Sequence, residues 1–245
     1  MSMSFHSRRG FTLIELVIVI IILAILASVA TRQLSNTVDT AKYEQTKNEL
    51  DALASAIRGS EELYTDGART DFGYVGDIGA FPLNLDALVQ NPGGYATWQG
   101  PYIDRGVAVD DFKKDGWGMT YTYQDTMIRS AGSGSNIDKL LASSRAELLG
   151  NSVEGYLVDA DRTPPTSAYM TSIWIQLIHP NGTGGITVDS VRPTSTGYFL
   201  FSNIAIGNHT LRAIYTAATD TVTIAVAVYP KRSTRLNVIF PADLW

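Results

Sequence analysis

The 245-residue sequence contains no cysteine. Disulfide bonds are therefore excluded, and any folded part must be held together by apolar cores alone. A chain of this length can bury cores large enough to do so. Charged residues make up only 18% of the chain and apolar residues 45%, which is typical of a globular rather than a disordered protein.

Positive charge is also sparse. The formal net charge is −5, and the basic residues are scattered along the chain. One local cluster, formed by Lys231, Arg232 and Arg235, is expected at a solvated turn. This distribution gives no reason to expect binding to nucleic acid.

Proline and glycine are absent from Phe11 to Arg58, which predicts one long helix ending at Gly59. Such a helix would be about 70 Å long. Residues 11–30 are almost entirely apolar and long enough to cross a bilayer. Farther along, apolar residues recur on one side only, which predicts contact with a globular part. The clearest members of this stripe are Leu50, Leu53, Ala54 and Ile57.

Glu15 is the exception within the apolar run. An ionisable side chain at membrane depth costs at least about 2.5–3.5 kcal/mol, so an ordinary anchor gains nothing from it. Cleavage between Gly10 and Phe11 would create an α-amino group a few residues away. The amine and the carboxylate can pair between neighbouring copies. Because each charge is costly to bury without a partner, this pairing favours assembly.

The segment Gly10-Phe11-Thr12-Leu13-Ile14-Glu15, followed by aliphatic residues, resembles the prepilin motif of type IV pilins and type II secretion pseudopilins. The resemblance implies cleavage after Gly10 by prepilin peptidase and N-methylation of Phe11. It implies that Glu15 recruits the next subunit to a helical filament. The expected partners are further copies and other pilin-like subunits, prepilin peptidase, and an inner-membrane assembly platform.

Two other interpretations of the N-terminus remain open. One is a secretory signal cleaved after Ala30, at the sequence Ser28-Val29-Ala30, and the other is a plain membrane anchor. Because Arg8 and Arg9 precede the apolar run, the leader is expected in the cytoplasm and the C-terminal part outside it. The precursor would then cross the inner membrane once and end up in a filament in the periplasm or on the cell surface.

Residues 60–150 are predicted to form a small head with an antiparallel sheet. The segments Ala80–Val89 and Lys114–Tyr123 resemble the corresponding parts of major pseudopilins. Local patterns predict a short helix over Asn84–Gln90 and a hairpin made of Met119–Tyr123 and Ile128–Ser130. They also predict an amphipathic helix over Ile137–Leu149, with Asn136 as its cap and Gly150 at its end.

Major pseudopilins bind calcium in the loop that follows these strands, and the resemblance would place that loop at Ser130–Asn136. The loop contains no Asp or Glu. Calcium prefers several charged oxygen ligands, so no metal site and no cofactor are expected. Two acidic pairs, Asp110 with Asp111 and Asp159 with Asp161, are expected to lie in solvated turns.

The sequence pattern changes in residues 151–245, where seven short alternating or β-branched runs are separated by turns. This pattern predicts a β-sandwich with its own core, and it makes the whole chain α+β. The runs Val153–Asp159, Gly197–Ile204 and Gly207–Leu211 resemble carboxypeptidase regulatory-like domains, which have a transthyretin-like, immunoglobulin-like sandwich. The resemblance implies a structural or adhesive module.

Catalysis is not expected. The histidines are His6 in the leader and His179 and His209 at strand edges, where surface or capping roles are expected. The sequence thus predicts four parts: a leader (1–10), a long helix (11–59), a head (60–150) and a sandwich (151–245). The favoured function is a structural filament subunit. The alternative is a membrane-anchored adhesion or binding module that presents the sandwich without forming filaments.

Overall fold

The computed structural model describes residues 12–65, 68–103 and 111–245. Helix α1 spans Leu13–Arg58, a single helix of 46 residues. It ends at Gly59, whose φ of 77° lies in the left-handed region that glycine adopts without strain. The long helix and its end are therefore confirmed. The chain divides into two compact units between Gln45 and Thr46.

The second unit contains the remaining helices and strands. Its elements are α2 (Gly73–Ile78), α3 (Arg145–Leu149), α4 (Thr166–Tyr169), β1 (Tyr64–Thr65), β2 (Ala68–Arg69), β3 (Thr122–Gln124), β4 (Met127–Ser130), β5 (Ile137–Leu140), β6 (Asn151–Val158), β7 (Ile173–Pro180), β8 (Ile186–Val191), β9 (Tyr198–Ile204), β10 (Gly207–Tyr215), β11 (Asp220–Val228) and β12 (Ser233–Ile239). Short 3₁₀ turns lie at Leu85–Leu88, Asp111–Lys113 and Met170–Ser172. The α+β class is confirmed.

The last turns of α1 form one side of the head's apolar cluster. The predicted stripe is buried, and its members Leu50, Leu53, Ala54 and Ile57 are at most 1% exposed. They pack with residues of α2 and of the Leu85–Leu88 turn. Asn84 caps this turn, because its side-chain oxygen accepts a hydrogen bond from the Ala87 N–H. The predicted helix over Asn84–Gln90 is thus a shorter 3₁₀ turn.

The helix predicted over Ile137–Leu149 is wrong in its first half. Ile137–Leu140 is strand β5, which pairs with β4 in the three-stranded sheet β3-β4-β5. Only Arg145–Leu149 is helical, and Gly150 follows it as predicted. Over so few residues, the leucine spacing fits both the helical period of 3.6 residues and the strand period of two. The segment is a strand because it pairs with the hydrogen-bonding edge of β4.

The glycine-rich passage after α1 contains a helix that the sequence did not predict. Asp71 holds it in place: one carboxylate oxygen accepts the Gly73 N–H at 2.9 Å and the other accepts the Ser60 N–H at 2.7 Å. Gly73 itself lies against the end of α1, where a Cβ would be 2.5 Å from the Gly59 nitrogen. A single carboxylate therefore ties the end of one helix to the start of the next.

The seven C-terminal strands were predicted correctly. They form a four-stranded antiparallel sheet in the order β11-β10-β7-β8 and a three-stranded sheet in the order β12-β6-β9. In the smaller sheet, β12 runs parallel to β6, and β9 runs antiparallel to it. Inward side chains of both sheets, among them Val153, Ile175, Phe199 and Val228, belong to one buried apolar cluster. Two sheets that share one core form a sandwich.

The head and the sandwich are joined without a linker, because α3 ends at Leu149 and β6 begins at Asn151. Ile206, in the turn between β9 and β10, is fully buried and belongs to the head's apolar cluster. Its N–H donates to the Leu148 carbonyl at 2.8 Å. Tyr229 contacts the Phe72 ring at a centroid distance of 5.9 Å. The boundary at residue 150 stays a proposal, since the two parts share these contacts.

Candidate functional site

The N-terminal end of α1 begins with a hydroxyl cap. Thr12 precedes the first helical residue, and its Oγ1 accepts the Glu15 N–H at 3.3 Å. Its carbonyl accepts the Leu16 N–H at 3.2 Å, closing the first helical turn. The spacing Thr-x-x-Glu is that of a capping box, in which a hydroxyl satisfies a free N–H of the first turn. This cap marks the start of the helix at Leu13, two residues later than the sequence predicts.

Glu15 lies in the first turn of α1, and its side chain is exposed. The free N–H groups at a helix N-terminus carry partial positive charge, which favours a carboxylate there. The helix end therefore lowers the free-energy cost of placing this carboxylate in an apolar layer. A cation from outside the helix would lower that cost further.

The helix around Glu15 presents apolar side chains on all sides. Exposure ranges from 43% at Val17 to 82% at Leu13. The exposed apolar residues of this stretch are Leu13, Ile14, Leu16, Val17, Ile18, Val19, Ile20, Ile21, Ile22, Leu23, Ile25, Leu26 and Val29. A continuous apolar surface of this size requires cover by lipid or protein. By length and composition, α1 is suited to crossing a membrane.

The cleavage-site residues Gly10 and Phe11 lie outside the described residues. Cleavage after Gly10, methylation of Phe11 and pairing of its amine with Glu15 therefore stay predictions. Of the predicted site residues, the structure places Glu15 alone. It adds Thr12, whose capping role could have been found from its spacing to Glu15.

Asp115 organises the loop Ser130–Asn136. Its Oδ2 accepts hydrogen bonds from Ser130 Oγ at 2.6 Å and from the Gly132 N–H at 3.0 Å. Its Oδ1 accepts the N–H groups of Trp117 and Met119. Burial raises the pKa of Asp115, but these hydrogen bonds outweigh it, and the pKa lies below its usual value. Four hydrogen-bond donors thus surround this carboxylate, which connects the loop to the preceding turn.

Both acidic pairs of the sequence were expected in solvated turns, and one residue of these pairs is buried instead. Asp110 lies outside the described residues, and Asp111 is exposed, as expected. Asp159 is fully buried, and it accepts hydrogen bonds from the N–H and hydroxyl of Thr163, so its predicted solvated position is wrong. Within residues 12–65, 68–103 and 111–245, no group of three or more His, Cys, Asp or Glu could hold a metal ion.

The prediction for His209 was also wrong, because its side chain is only 3% exposed. His209 faces the core side of β10, and its Nε2 lies 2.8 Å from the Ala205 carbonyl. Burial lowers its pKa from 6.5 to about 4. His179 contacts it edge-on at a centroid distance of 5.8 Å, and its own Nε2 lies 3.1 Å from Asp189. Strand alternation would have indicated the inward position of His209.

Comparison with known proteins places the N-terminal segment in a defined class. Residues 5–31 match the prokaryotic N-terminal methylation motif. This match covers Thr12 and Glu15 as well as Gly10 and Phe11, the predicted cleavage site. An exposed apolar helix behind such a motif defines a pilin-like protein, and it fits a membrane-anchored precursor.

Similarity to known proteins extends beyond the motif. The type II secretion system core protein G of Xanthomonas campestris is 31% identical over 118 residues, which cover 48% of this chain and 68% of the relative. The same-named protein of Pseudomonas aeruginosa is 30% identical over 118 residues, covering 48% of this chain and 74% of the relative. The chain belongs to the type II secretion system core protein G family.

About half of the chain has no counterpart in these alignments, because they cover 48% of it. Among solved structures, the dioxygenase domain of a dioxygenase–carbohydrate-binding protein fusion from Streptomyces sp. SirexAA-E is similar over 42% of this chain and 86% of that chain. The identity is 11% and the TM-score 0.31. This similarity is too weak to indicate the fold or the function of this chain.

Proposed function

We propose that this protein is a structural subunit of a pseudopilus-type filament. It is made as a precursor that crosses the inner membrane once, with its C-terminal part outside the cytoplasm. Prepilin peptidase cleaves after Gly10, and the new N-terminus at Phe11 is methylated. The mature subunit joins further copies and other pilin-like subunits at an inner-membrane assembly platform. It then resides in a filament in the periplasm or on the cell surface.

The observation that carries this proposal is the position of Glu15 on α1. It is exposed in the first turn of a helix whose neighbouring side chains are apolar and more than 40% exposed. Packing of such helices against one another covers the apolar surface, while an amine from the neighbouring copy neutralises the carboxylate. A lone anchor would gain the first benefit from lipid but not the second. The role is structural, and no catalytic residue is assigned.

The processing step is tested by mass spectrometry of the protein isolated from membranes. We expect an N-terminus at methylated Phe11. A chain that starts at Thr31 would contradict the proposal in favour of a secreted protein. An intact leader in cells with active prepilin peptidase would contradict it in favour of a plain anchor.

The assembly step is tested with Glu15→Ala, followed by electron microscopy of filaments and analysis of the N-terminus. We expect normal cleavage and membrane insertion, with filaments lost or strongly reduced, because the amine of the next copy then lacks its partner. Glu44→Ala removes another exposed carboxylate from the same helix, outside the apolar stretch, and should leave filaments unchanged. Normal filaments from Glu15→Ala would refute the assembly role.

A second candidate function is a membrane-anchored binding module that forms no filaments. It is favoured by the outer face of the sheet β12-β6-β9, where Tyr156 and Leu200 are 50% and 43% exposed. Methylated Phe11 together with filaments would decide for the first function. A membrane-bound monomer that never assembles would decide for the second.

A further inference from the structure

A shallow depression lies on the outer face of the sheet β12-β6-β9. It has a volume of about 530 Å³, and its floor is the backbone of Gly155 and Leu236. A Cβ at Gly155 would overlap the Leu236 carbonyl oxygen and lie 3.0 Å from the Phe199 ring. Glycine at this position therefore allows β6 and β12 to approach closely. Side chains of the neighbouring outward positions form the walls.

One wall is held rigid by Glu154. Its Oε1 accepts hydrogen bonds from Arg235 Nε at 2.7 Å and Ser233 Oγ at 2.9 Å, and its Oε2 accepts the Tyr198 hydroxyl at 2.9 Å. These bonds connect all three strands of the sheet. Hydrogen bonding from Arg235 first, and then from Tyr198 and Ser233, lowers the pKa of Glu154 to about 2. The carboxylate is therefore ionised at neutral pH and paired with the guanidinium.

The opposite wall is aromatic. Tyr156 and Tyr198 lie on neighbouring strands with ring centroids 5.5 Å apart and ring planes inclined by 57°. Because Glu154 holds the Tyr198 hydroxyl, this ring has little freedom to turn. Tyr156 is 50% exposed, and Asn237 lies opposite it on β12 with an exposed amide. An aromatic surface thus stands beside groups that donate and accept hydrogen bonds.

The lining restricts the chemistry of a ligand. Its only two charged side chains, Glu154 and Arg235, neutralise each other, so the depression favours neither an anion nor a cation. Aromatic rings next to amide and hydroxyl groups suit a molecule with a C–H face and a rim of hydroxyls. A volume of a few hundred Å³ fits a small molecule or a few sugar units. We propose that this depression binds a neutral oligosaccharide, with a sugar ring stacked on Tyr156 and its hydroxyls bonded to Asn237 and Arg235.

The test uses the full chain in lipid nanodiscs, prepared without detergents that have sugar headgroups. Isothermal titration calorimetry is run with neutral oligosaccharides of glucose, of xylose and of N-acetylglucosamine, and with an acidic oligosaccharide of galacturonic acid. We expect at least one neutral sugar to bind more tightly than the acidic one. Tyr156→Ala should weaken that binding by about tenfold or more, whereas Tyr156→Phe should retain it, because stacking requires the ring alone.

Leu200→Ala is the matched control, since Leu200 is exposed on the same face of the sheet but does not line the depression. It should leave binding unchanged, and all variants should unfold at the wild-type temperature. The proposal is overturned if none of the neutral sugars binds, if the acidic sugar binds best, or if Tyr156→Ala binds as the wild type does. These outcomes are independent of filament assembly, which is measured by other means.

Discussion

The head and the sandwich obtain their order in different ways. In the sandwich, long strands pair in continuous ladders around one apolar cluster, as in the nine residue pairs between β10 and β11. In the head, strands have at most four residues, and side chains such as those of Asp71 and Asp115 satisfy the backbone N–H groups of loops. A ladder distributes stability over many residues, whereas a single carboxylate concentrates it. Single substitutions of polar side chains should therefore be more damaging in the head than in the sandwich.

The largest expected effect tests whether the two parts are separate at all. Ile206→Ala removes a fully buried side chain of the sandwich from the head's apolar cluster and should cost about 4 kcal/mol. Ile175→Ala is the matched control, because Ile175 is equally buried within the sandwich cluster. If head and sandwich unfold together, both variants lower the midpoint of one cooperative transition in chemical denaturation. Two transitions, of which Ile175→Ala shifts only one, would establish independent domains.

A somewhat smaller effect is expected for Asp115→Ala. The substitution leaves the Ser130 hydroxyl and three backbone N–H groups without their acceptor, and should cost about 3 kcal/mol. Asp138→Ala removes an exposed carboxylate on β5 that is paired with Arg129, and it should destabilise the protein far less. Denaturant midpoints measure both. Equal effects of the two variants would contradict the idea that one carboxylate organises the loop.

Acid should destabilise the protein through His209. Its pKa is lowered to about 4 by burial in the folded state, whereas the unfolded chain binds the proton near 6.5. The unfolded state therefore takes up the proton first, and stability decreases as pH falls from about 6.5 towards 4. The expected loss is about 3 kcal/mol. His209→Asn should remove this slope from the unfolding free energy. An unchanged slope would assign the dependence to other groups.

The smallest effect is expected at the polar rim between head and sandwich. Lys231 Nζ lies 3.1 Å from Glu147 Oε2, and the lysine side chain is 64% exposed. Exposed ion pairs contribute little, so Lys231→Ala should change the unfolding free energy by less than about 1 kcal/mol. A loss as large as that of Ile206→Ala would show that charge, rather than apolar contact, holds the two parts together.

The regular elements could be predicted because their signals are local. The absence of helix breakers predicted α1, and the alternation of apolar and polar residues predicted all seven strands of the sandwich. The failures have nonlocal causes. Ile137–Leu140 was predicted to be helical because only the hydrogen-bonding edge of β4 makes it a strand. The helix held by Asp71 was missed because its anchor, the Ser60 N–H, is supplied from the end of α1.

The candidate site shows the same limit. Glu15 and the proposed cleavage residues Gly10 and Phe11 could be predicted because a short motif carries them within six positions. The depression at Tyr156 was not found, because its lining comes from β6, β9 and β12, which are far apart in sequence. Each of its residues alone has the pattern of an ordinary exposed strand position. Only strand order and register bring them together.

The insertion of Ile206 into the head has a mechanical consequence. A module on a flexible tether would swing freely and absorb a pull by extending its linker. Here a pull on the sandwich must first extract an apolar side chain and break the bond between Ile206 and Leu148. We therefore expect force applied to the sandwich to be transmitted directly to the head, so that the two parts resist a pull together.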